Sequence, residues 1–302
     1  MDALRRYEAL IEDYDAFLES IRRPLPTTVR VNGLKADPAT VIRGFEETGV
    51  EVGTRDWNPD LLEVGTEKPG NTWPHVHGWT HGQEELSTLP PLVLDPQPGE
   101  VIWAAAAAPG GKATQLADLM ADEGLVIAND DNLGRLSALR ANADRLGVTA
   151  MAVTNQDARH FTLRGFGRDS VARALVDAPC TCEGTIRKGG ETLDTAGKDA
   201  SEGLARLQTG ILRRAVELTE PGGTVVYSTC TFAPEENEEV VDAVRSDTDA
   251  RVVPFDVPLE HSPGITAWDG REFDGSLEET KRFYPHQNDT GGFFVAKLEV
   301  GR

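Results

Sequence analysis

No run of this 302-residue chain approaches the ~20 consecutive apolar residues that a membrane-spanning helix needs. The first residues, Met1-Asp2-Ala3-Leu4-Arg5-Arg6-Tyr7-Glu8, lack the apolar core of a secretory leader. Cysteine is scarce: three thiols cannot all pair and are too few for a disulfide framework. A soluble cytoplasmic protein is expected, with no membrane partner. Lysine is scarce as well, confined to Lys35, Lys68, Lys112, Lys188, Lys198, Lys281 and Lys297, so most positive charge is arginine. Acids outnumber bases 50 to 30, leaving a formal net charge of -20 that is spread along the chain. Distributed negative charge keeps a protein soluble at high salt, and a halophilic source is its economical explanation. Taken alone, it argues against a polyphosphate partner, which favours a basic footprint. Gly-x-Gly-x-x-Gly and Walker sequences are both absent, which speaks against nicotinamide and ATP cofactors.

What is present has a clear order. Residues 1–22 carry Leu4, Tyr7, Leu10, Ile11, Tyr14 and Leu18 at helical spacing, and Pro24 and Pro26 end that helix. A short strand at 27–32, a helix at 38–48 and a loop-rich stretch at 59–82 complete a small α+β unit, set at residues 1–78. From Gly99 strands and helices alternate. Strands are predicted at 101–107, 125–129, 150–154, 174–178, 224–229 and 292–298, with helices at 113–121, 133–146, 202–219 and 235–245. Such alternation means a parallel, doubly wound α/β sheet with helices on both faces, over residues 79–302. There is no internal repeat or low-complexity tract.

Ligands of such sheets bind beyond the carboxyl ends of the strands. Two strands end in cysteine: Arg173-Ala174-Leu175-Val176-Asp177-Ala178-Pro179-Cys180 and Thr224-Val225-Val226-Tyr227-Ser228-Thr229-Cys230. Two thiols therefore face one pocket. A strand-end cysteine also serves as a small buried hydrophobe, the reading given to Cys182. The three lack Cys-x-x-Cys spacing and a histidine partner, so no metal is expected. The first strand runs into Ala106-Ala107-Ala108-Pro109-Gly110-Gly111-Lys112 and then a helix, whose free N–H groups suit a ligand. Asp130 ends the second strand, 20 residues beyond Gly110, where an acid meets a ribose. Asp157 follows the third, placed for an adenine edge. With Arg135 and Asp177, these residues fit a nucleoside-containing cofactor.

The chain resembles the Sun/Nop family of RNA cytosine-C5 methyltransferases over nearly its whole length. The resemblance rests on Ala107-Ala108-Pro109-Gly110-Gly111-Lys112, Asp177-Ala178-Pro179-Cys180 and Tyr227-Ser228-Thr229-Cys230-Thr231-Phe232-Ala233-Pro234-Glu235-Glu236-Asn237-Glu238. Weaker matches are Arg30-Val31-Asn32, residues 83–87, Phe283-Tyr284-Pro285-His286 and Gly292-Phe293-Phe294. It implies a class I, Rossmann-like, seven-stranded methyltransferase fold with a small RNA-binding unit, in the short layout of archaeal members. It also implies S-adenosyl-L-methionine as cofactor and tRNA or rRNA as partner, with the protein a monomer. Cys230 would be the nucleophile, Cys180 the thiol that aids product release, and Asp177 the residue that holds the base. Lys112 would help keep Cys230 a thiolate. Family members usually carry an acid where Ala104 stands, and often a cysteine where Ala106 stands. The alanine at 104 motivates a second reading, a non-catalytic RNA-binding or ribosome-assembly factor that kept the fold. RNA contact is expected from Arg5, Arg6, Arg22, Arg23 and Arg30, from Arg187 and Lys188, and from Arg213 and Arg214. His75, His77 and His81 are read as a solvated or RNA-facing loop, and the Glu235–Glu238 run as acids opening a helix.

Overall fold

The computed structural model describes residues 2–189 and 197–301. The chain opens with a 3-10 turn (Asp2–Tyr7) and α1 (Tyr14–Ser20), followed by β1 (Thr28–Val31), α2 (Pro38–Glu46), β2 (Val52–Arg55) and β3 (Asn58–Val64). Then come α3 (Trp73–Val76), β4 (Thr80–Gly82), α4 (Leu89–Leu94), β5 (Val101–Ala104), α5 (Gly111–Leu119), β6 (Leu125–Asn129), α6 (Leu133–Leu146) and β7 (Met151–Thr154). The remainder is β8 (Val171–Asp177), α7 (Lys198–Leu218), β9 (Thr219–Thr229), α8 (Glu238–Asp247), β10 (Arg251–Val252), β11 (Ser262–Pro263), β12 (Ala267–Trp268), β13 (Arg271–Glu272), β14 (Lys281–Phe283), α9 (Pro285–Asn288) and β15 (Phe293–Glu299). No described helix is long and apolar enough to cross a membrane.

The large sheet runs β11-β14-β15-β9-β8-β5-β6-β7, with β10 paired to β15. Strands β9, β8, β5, β6 and β7 are parallel. The sheet is not parallel throughout, as the alternation had predicted: β15 and β14 join antiparallel. Side chains alternate between its faces. Trp103, Val176, Val225 and Tyr227 point to a core that includes Leu212 and Val216 of α7 and Val241 of α8. Ile102, Ala104, Val126 and Val226 point to one that includes Leu116 of α5 and Leu136 and Leu139 of α6. Because both faces are covered, the strands read as continuous apolar runs.

The small sheet has the order β2-β3-β1-β4. The stretch 59–82 is less loop-like than expected, because Leu62 and Val64 of β3 bury against Val41 and Phe45 of α2. The expected helix over 1–22 is interrupted; Met1 lies outside the described residues. Asp13 adopts a left-handed conformation (φ 53°) and caps α1 by accepting from the Ala16 N–H at 3.1 Å. This segment packs away from the small sheet. Leu4, Tyr7, Ile11 and Phe17 bury against Phe232, Ala233 and Tyr284, beneath the Cys230 loop.

Candidate active site

β8 and β9 pair in parallel, with Asp177 opposite Ser228, so their loops leave the sheet side by side. Cys180 Sγ lies 3.4 Å from Cys230 Sγ. The threonines that follow the two cysteines also touch, Thr181 Oγ1 to Thr231 Oγ1 at 2.8 Å. The Gly184 N–H donates to the Cys230 carbonyl at 2.9 Å. A Cβ at Gly184 would lie 2.3 Å from the Gly292 carbonyl oxygen, so only glycine permits this crossing. Cys182, read as a small hydrophobe, lies beside the pair. It turns back in a left-handed conformation (φ 59°), placing its sulfur 3.8 Å from Cys180 Sγ. Sequence spacing could not show this, because the turn that brings it back is not written in a two-residue interval.

The three thiols titrate as a group. Hydrogen bonds to Cys182 and Cys230, together with burial, push the Cys180 thiol well up. Hydrogen bonds from Cys180 and Cys230, aided by the Lys188 ammonium, pull Cys182 down to about 3. Cys230 receives a favourable bond from Cys180, but Cys182, burial and the Asp177 charge outweigh it and raise its thiol. The proton losses of such a cluster belong to the three sulfurs together and not to any one of them. Lys112, expected to favour the Cys230 thiolate, has its hydrogen bonds on other groups. The Lys112 ammonium sits 2.7 Å from Asp177 Oδ2 and 2.9 Å from Ser87 Oγ. The Ser228 hydroxyl donates to the other Asp177 oxygen at 3.0 Å.

These groups line a recess of about 450 Å³ with Ala106, Ala108, Pro109 and Arg135 on its other wall. The 106–112 loop turns into α5 at Gly110, whose φ of 110° is open to glycine. Asp130 is buried beneath that loop. It accepts from the Ala108 N–H at 3.1 Å and the Asn132 N–H at 3.0 Å. Arg135 donates to the Ala108 carbonyl. Ala104 through Ala108, with Gly111, line a second recess of about 90 Å³ under the loop. Asp157 is set apart from both recesses among the described residues. It caps the 158–160 turn and grips Arg159 at 2.6 Å, and that hydrogen bond holds its carboxyl at about 2.

Several expected RNA contacts are internal ties instead. Arg30 is buried and bonded to Asp118 at 2.7 Å and Gln83 at 3.0 Å. Arg187 is buried on the Pro24 and Thr290 carbonyls, and Arg6 pairs with Glu235. Arg214 reaches the Phe161 carbonyl, whereas Arg213 stays at the surface in an exposed pair with Asp247. Arg23 and Arg22 stay exposed, and Lys188 lines the larger recess. His81 is not solvated: burial, with Arg30 and Arg145 nearby, lowers its imidazole to about 3.

The Glu235–Glu238 run opens α8 as expected, with Asn237 at its cap and Glu238 in its first turn, but it is not a solvated run. All four residues are buried. Glu236 accepts from the Thr181 N–H at 3.0 Å, the Thr181 hydroxyl at 2.6 Å and Gln208 Nε2 at 2.8 Å. Asn237 accepts from the Thr229 hydroxyl at 2.6 Å and donates to the Thr231 carbonyl at 3.1 Å. Glu238 takes a two-pronged bond from buried Arg282, 2.6 Å on the Nε side. Charge in sequence reads as surface; these acids fix the thiol loops. The tight Ser-Thr-Cys-Thr-Phe-Ala-Pro run before them was the available signal.

A five-stranded parallel core with an antiparallel edge, a glycine turn after its first strand and polar groups at the strand ends define a class I methyltransferase. The chain belongs to the 16S rRNA methyltransferase RsmB/F family, whose model matches residues 91–299. It is 36% identical over 302 residues to a tRNA (cytosine(49)-C(5))-methyltransferase of Pyrococcus abyssi, covering 99% of this chain and 96% of that one. It is 35% identical to ribosomal RNA small subunit methyltransferase F of Shewanella loihica, covering 94% of this chain but only 58% of that longer relative. A crystal structure of a methyltransferase homologue from Pyrococcus horikoshii superposes with a TM-score of 0.81 at 30% identity, covering 99% of both chains. The resemblance to RNA cytosine-C5 methyltransferases is borne out.

Proposed function

We propose that the protein methylates C5 of a cytosine in tRNA or rRNA, with S-adenosyl-L-methionine as methyl donor and Cys230 as covalent nucleophile. The observation that carries this reading is the Cys180–Cys230 pair at 3.4 Å beside Asp177, at the mouth of one recess. The Pyrococcus abyssi relative matches end to end, which makes tRNA the first substrate to assay.

The donor set fits the cofactor. The 106–112 loop offers small side chains and backbone around a recess, and α5 starts there with its N–H groups. Asp130 and Arg135 brace that loop from below, and Asp177 borders both recesses. When bound, S-adenosyl-L-methionine supplies an electrophilic methyl group. Everything else falls to the chain. Unaided, C5 of cytosine is a poor nucleophile. Addition of the Cys230 sulfur to C6 makes C5 enamine-like, splitting one hard step into two. Asp177, fixed by Lys112 and Ser228, accepts from the amino group of the base and from N3–H as the adduct forms. Once C5 carries the methyl group, its proton passes to water in the open recess, and the C5–H electron pair re-forms the C5–C6 double bond as the C6–sulfur bond breaks. Cys180, a neutral thiol in contact with Cys230, is placed to return a proton to the departing sulfur. The target base must be unpaired or flipped to reach the recess. Residues 1–78, with exposed Arg22 and Arg23, are the proposed RNA-facing unit.

RNA carrying 5-fluorocytosine tests this directly, since fluorine at C5 blocks the proton loss. A denaturation-resistant protein–RNA adduct that needs the methyl donor and vanishes in Cys230→Ala is expected. An adduct that survives Cys230→Ala, or none with tRNA or rRNA, defeats the assignment. Calorimetric binding of the donor separates it from a non-catalytic RNA-binding factor.

A further inference from the structure

Methyl transfer as proposed uses two thiols, and the recess holds three. We infer that Cys180, Cys182 and Cys230 form a binding site for a soft, thiophilic divalent cation such as Zn²⁺, and that occupancy blocks Cys230. The geometry points to this. Zinc–thiolate bonds of about 2.3 Å at tetrahedral angles set neighbouring sulfurs about 3.8 Å apart. Here Cys180 Sγ lies 3.4 Å from Cys230 Sγ and 3.8 Å from Cys182 Sγ, and all three sulfurs fall within 4.8 Å of one another. The site is built, since Glu236 pins Thr181 between two of the cysteines.

All three cysteines line the open recess, so solvent can enter and supply a fourth ligand. Lys188 lines it too, and offsets part of the excess charge that three thiolates carry over a divalent ion. Binding ionises whatever S–H groups remain and releases those protons to solvent; no electron moves. Cys182 is the residue that turns a catalytic pair into a chelate. Because an ion on Cys230 removes the sulfur that adds to C6, the site opposes methylation. This inhibitory half rests on the proposed function; the binding half does not.

Co²⁺ is the probe, in the full-length protein kept reduced by a non-thiol reductant. Sulfur-to-cobalt charge-transfer absorption reports thiolate ligation, which exposed carboxylates cannot mimic. One Co²⁺ per chain with that absorption, displaced by Zn²⁺, is expected. Loss of an outer-shell partner commonly weakens a metal site about 10–100-fold. Loss of a ligand itself should weaken Zn²⁺ binding by at least about 100-fold in Cys182→Gly, whose glycine suits the left-handed backbone. Cys182→Ser, close in shape but a poor soft ligand, should behave alike and guards against misfolding of the first variant. Zn²⁺ equimolar with protein should suppress the 5-fluorocytosine adduct in the wild type and spare it in Cys182→Gly. No thiolate absorption in the wild type, or equal affinity in either variant, overturns the inference. An adduct-forming protein without the absorption overturns it and leaves methyl transfer standing. The absorption in a protein that never forms an adduct supports the site and sinks methyl transfer.

Discussion

The loop after β5 and the loop after β9 border the same recess, but their ties come from opposite sources. The first is built of alanine, proline and glycine, and neighbouring strands hold it. Ala107 donates to the Asn129 carbonyl at 2.7 Å, and Asn129 and Asp130 bind the backbone of Ala105 and Ala108. The second loop carries its own fastenings. Glu236, Asn237 and Glu238 follow Cys230 within eight residues; the first two bond threonines beside the cysteines, and Glu238 holds Arg282, which donates to the Phe232 carbonyl. A hydrogen bond to a charged group contributes a net ~1.5–3 kcal/mol, about twice a neutral one. The first loop has such bonds at Ala108 alone, from Asp130 and Arg135, and the thiol floor, with more of them, is expected to be the stiffer wall. A covalent nucleophile needs a fixed approach to the base. On the proposed function, the softer wall is the one along which the cofactor would enter and leave.

The largest effect should come from stranding a charge in that floor. Arg282 and Glu238 are both buried, so Glu238→Ala leaves a guanidinium without its anion. A loss of about 3–5 kcal/mol in urea unfolding is expected. Replacing both residues by methionine should cost less than Glu238→Ala alone. If Glu238→Ala unfolds at the wild-type midpoint, the floor is not held as described.

Next in size is Glu236→Gln. All three groups on this carboxylate are donors, and an amide turns one acceptor into a fourth donor. Stability should fall by about 1–3 kcal/mol. Thr181 sits between two of the thiols, so the 5-fluorocytosine adduct should form about 10-fold more slowly with RNA affinity nearly intact. An unchanged adduct rate would uncouple the acid from the thiol geometry.

Such acids mark where sequence reading ends. Strands β6 and β8, helix α6 and the convergence of Cys180 with Cys230 were legible, because apolar period and strand-end position are local signals. The side-chain partners of Glu236 and Glu238 lie 27 to 55 residues away, and nothing in Glu-Glu-Asn-Glu says that the run is buried. Cys182 was hidden by a left-handed turn at a non-glycine residue. The antiparallel edge was hidden by β14, only three residues long. Arg30 and Arg187 read as open charges because a buried arginine's carbonyl and carboxylate partners come from distant elements.

On the softer wall, Asp130→Ala should weaken the methyl donor more than it weakens the fold. Asp130 is 2% exposed and ties two backbone N–H groups, Ala108 and Asn132. Freed, Ala108 can shift, and a loss near 1.4 kcal/mol is about 10-fold in donor affinity by calorimetry. Thiol alkylation kinetics should stay at wild-type values, since no tie of the Cys230 loop is touched. A change in both would show that the two walls move together.

The smallest effect should come from Ala104→Asp, which gives this wall an acid of its own. Ala104 ends β5 beneath the loop, and its methyl borders the recess of about 90 Å³. A carboxylate entering that space meets backbone of Ala105 through Ala108, but the Ala105, Ala107 and Ala108 N–H groups already donate to Leu175, Asn129 and Asp130, so water must supply most of its hydrogen bonds. Against this stand the apolar neighbours Ile102 and Leu175, which penalise a buried charge. A charge-assisted bond outweighs that cost only if the recess admits water beside the acid, and the recess is open enough to do so. The donor should then bind about 3–5-fold tighter, roughly 1 kcal/mol, with unfolding changed by less than that. Weaker binding would mean that the alanine is fitted to its neighbours. The softness of this wall would then belong to the whole strand end and not to one missing carboxylate.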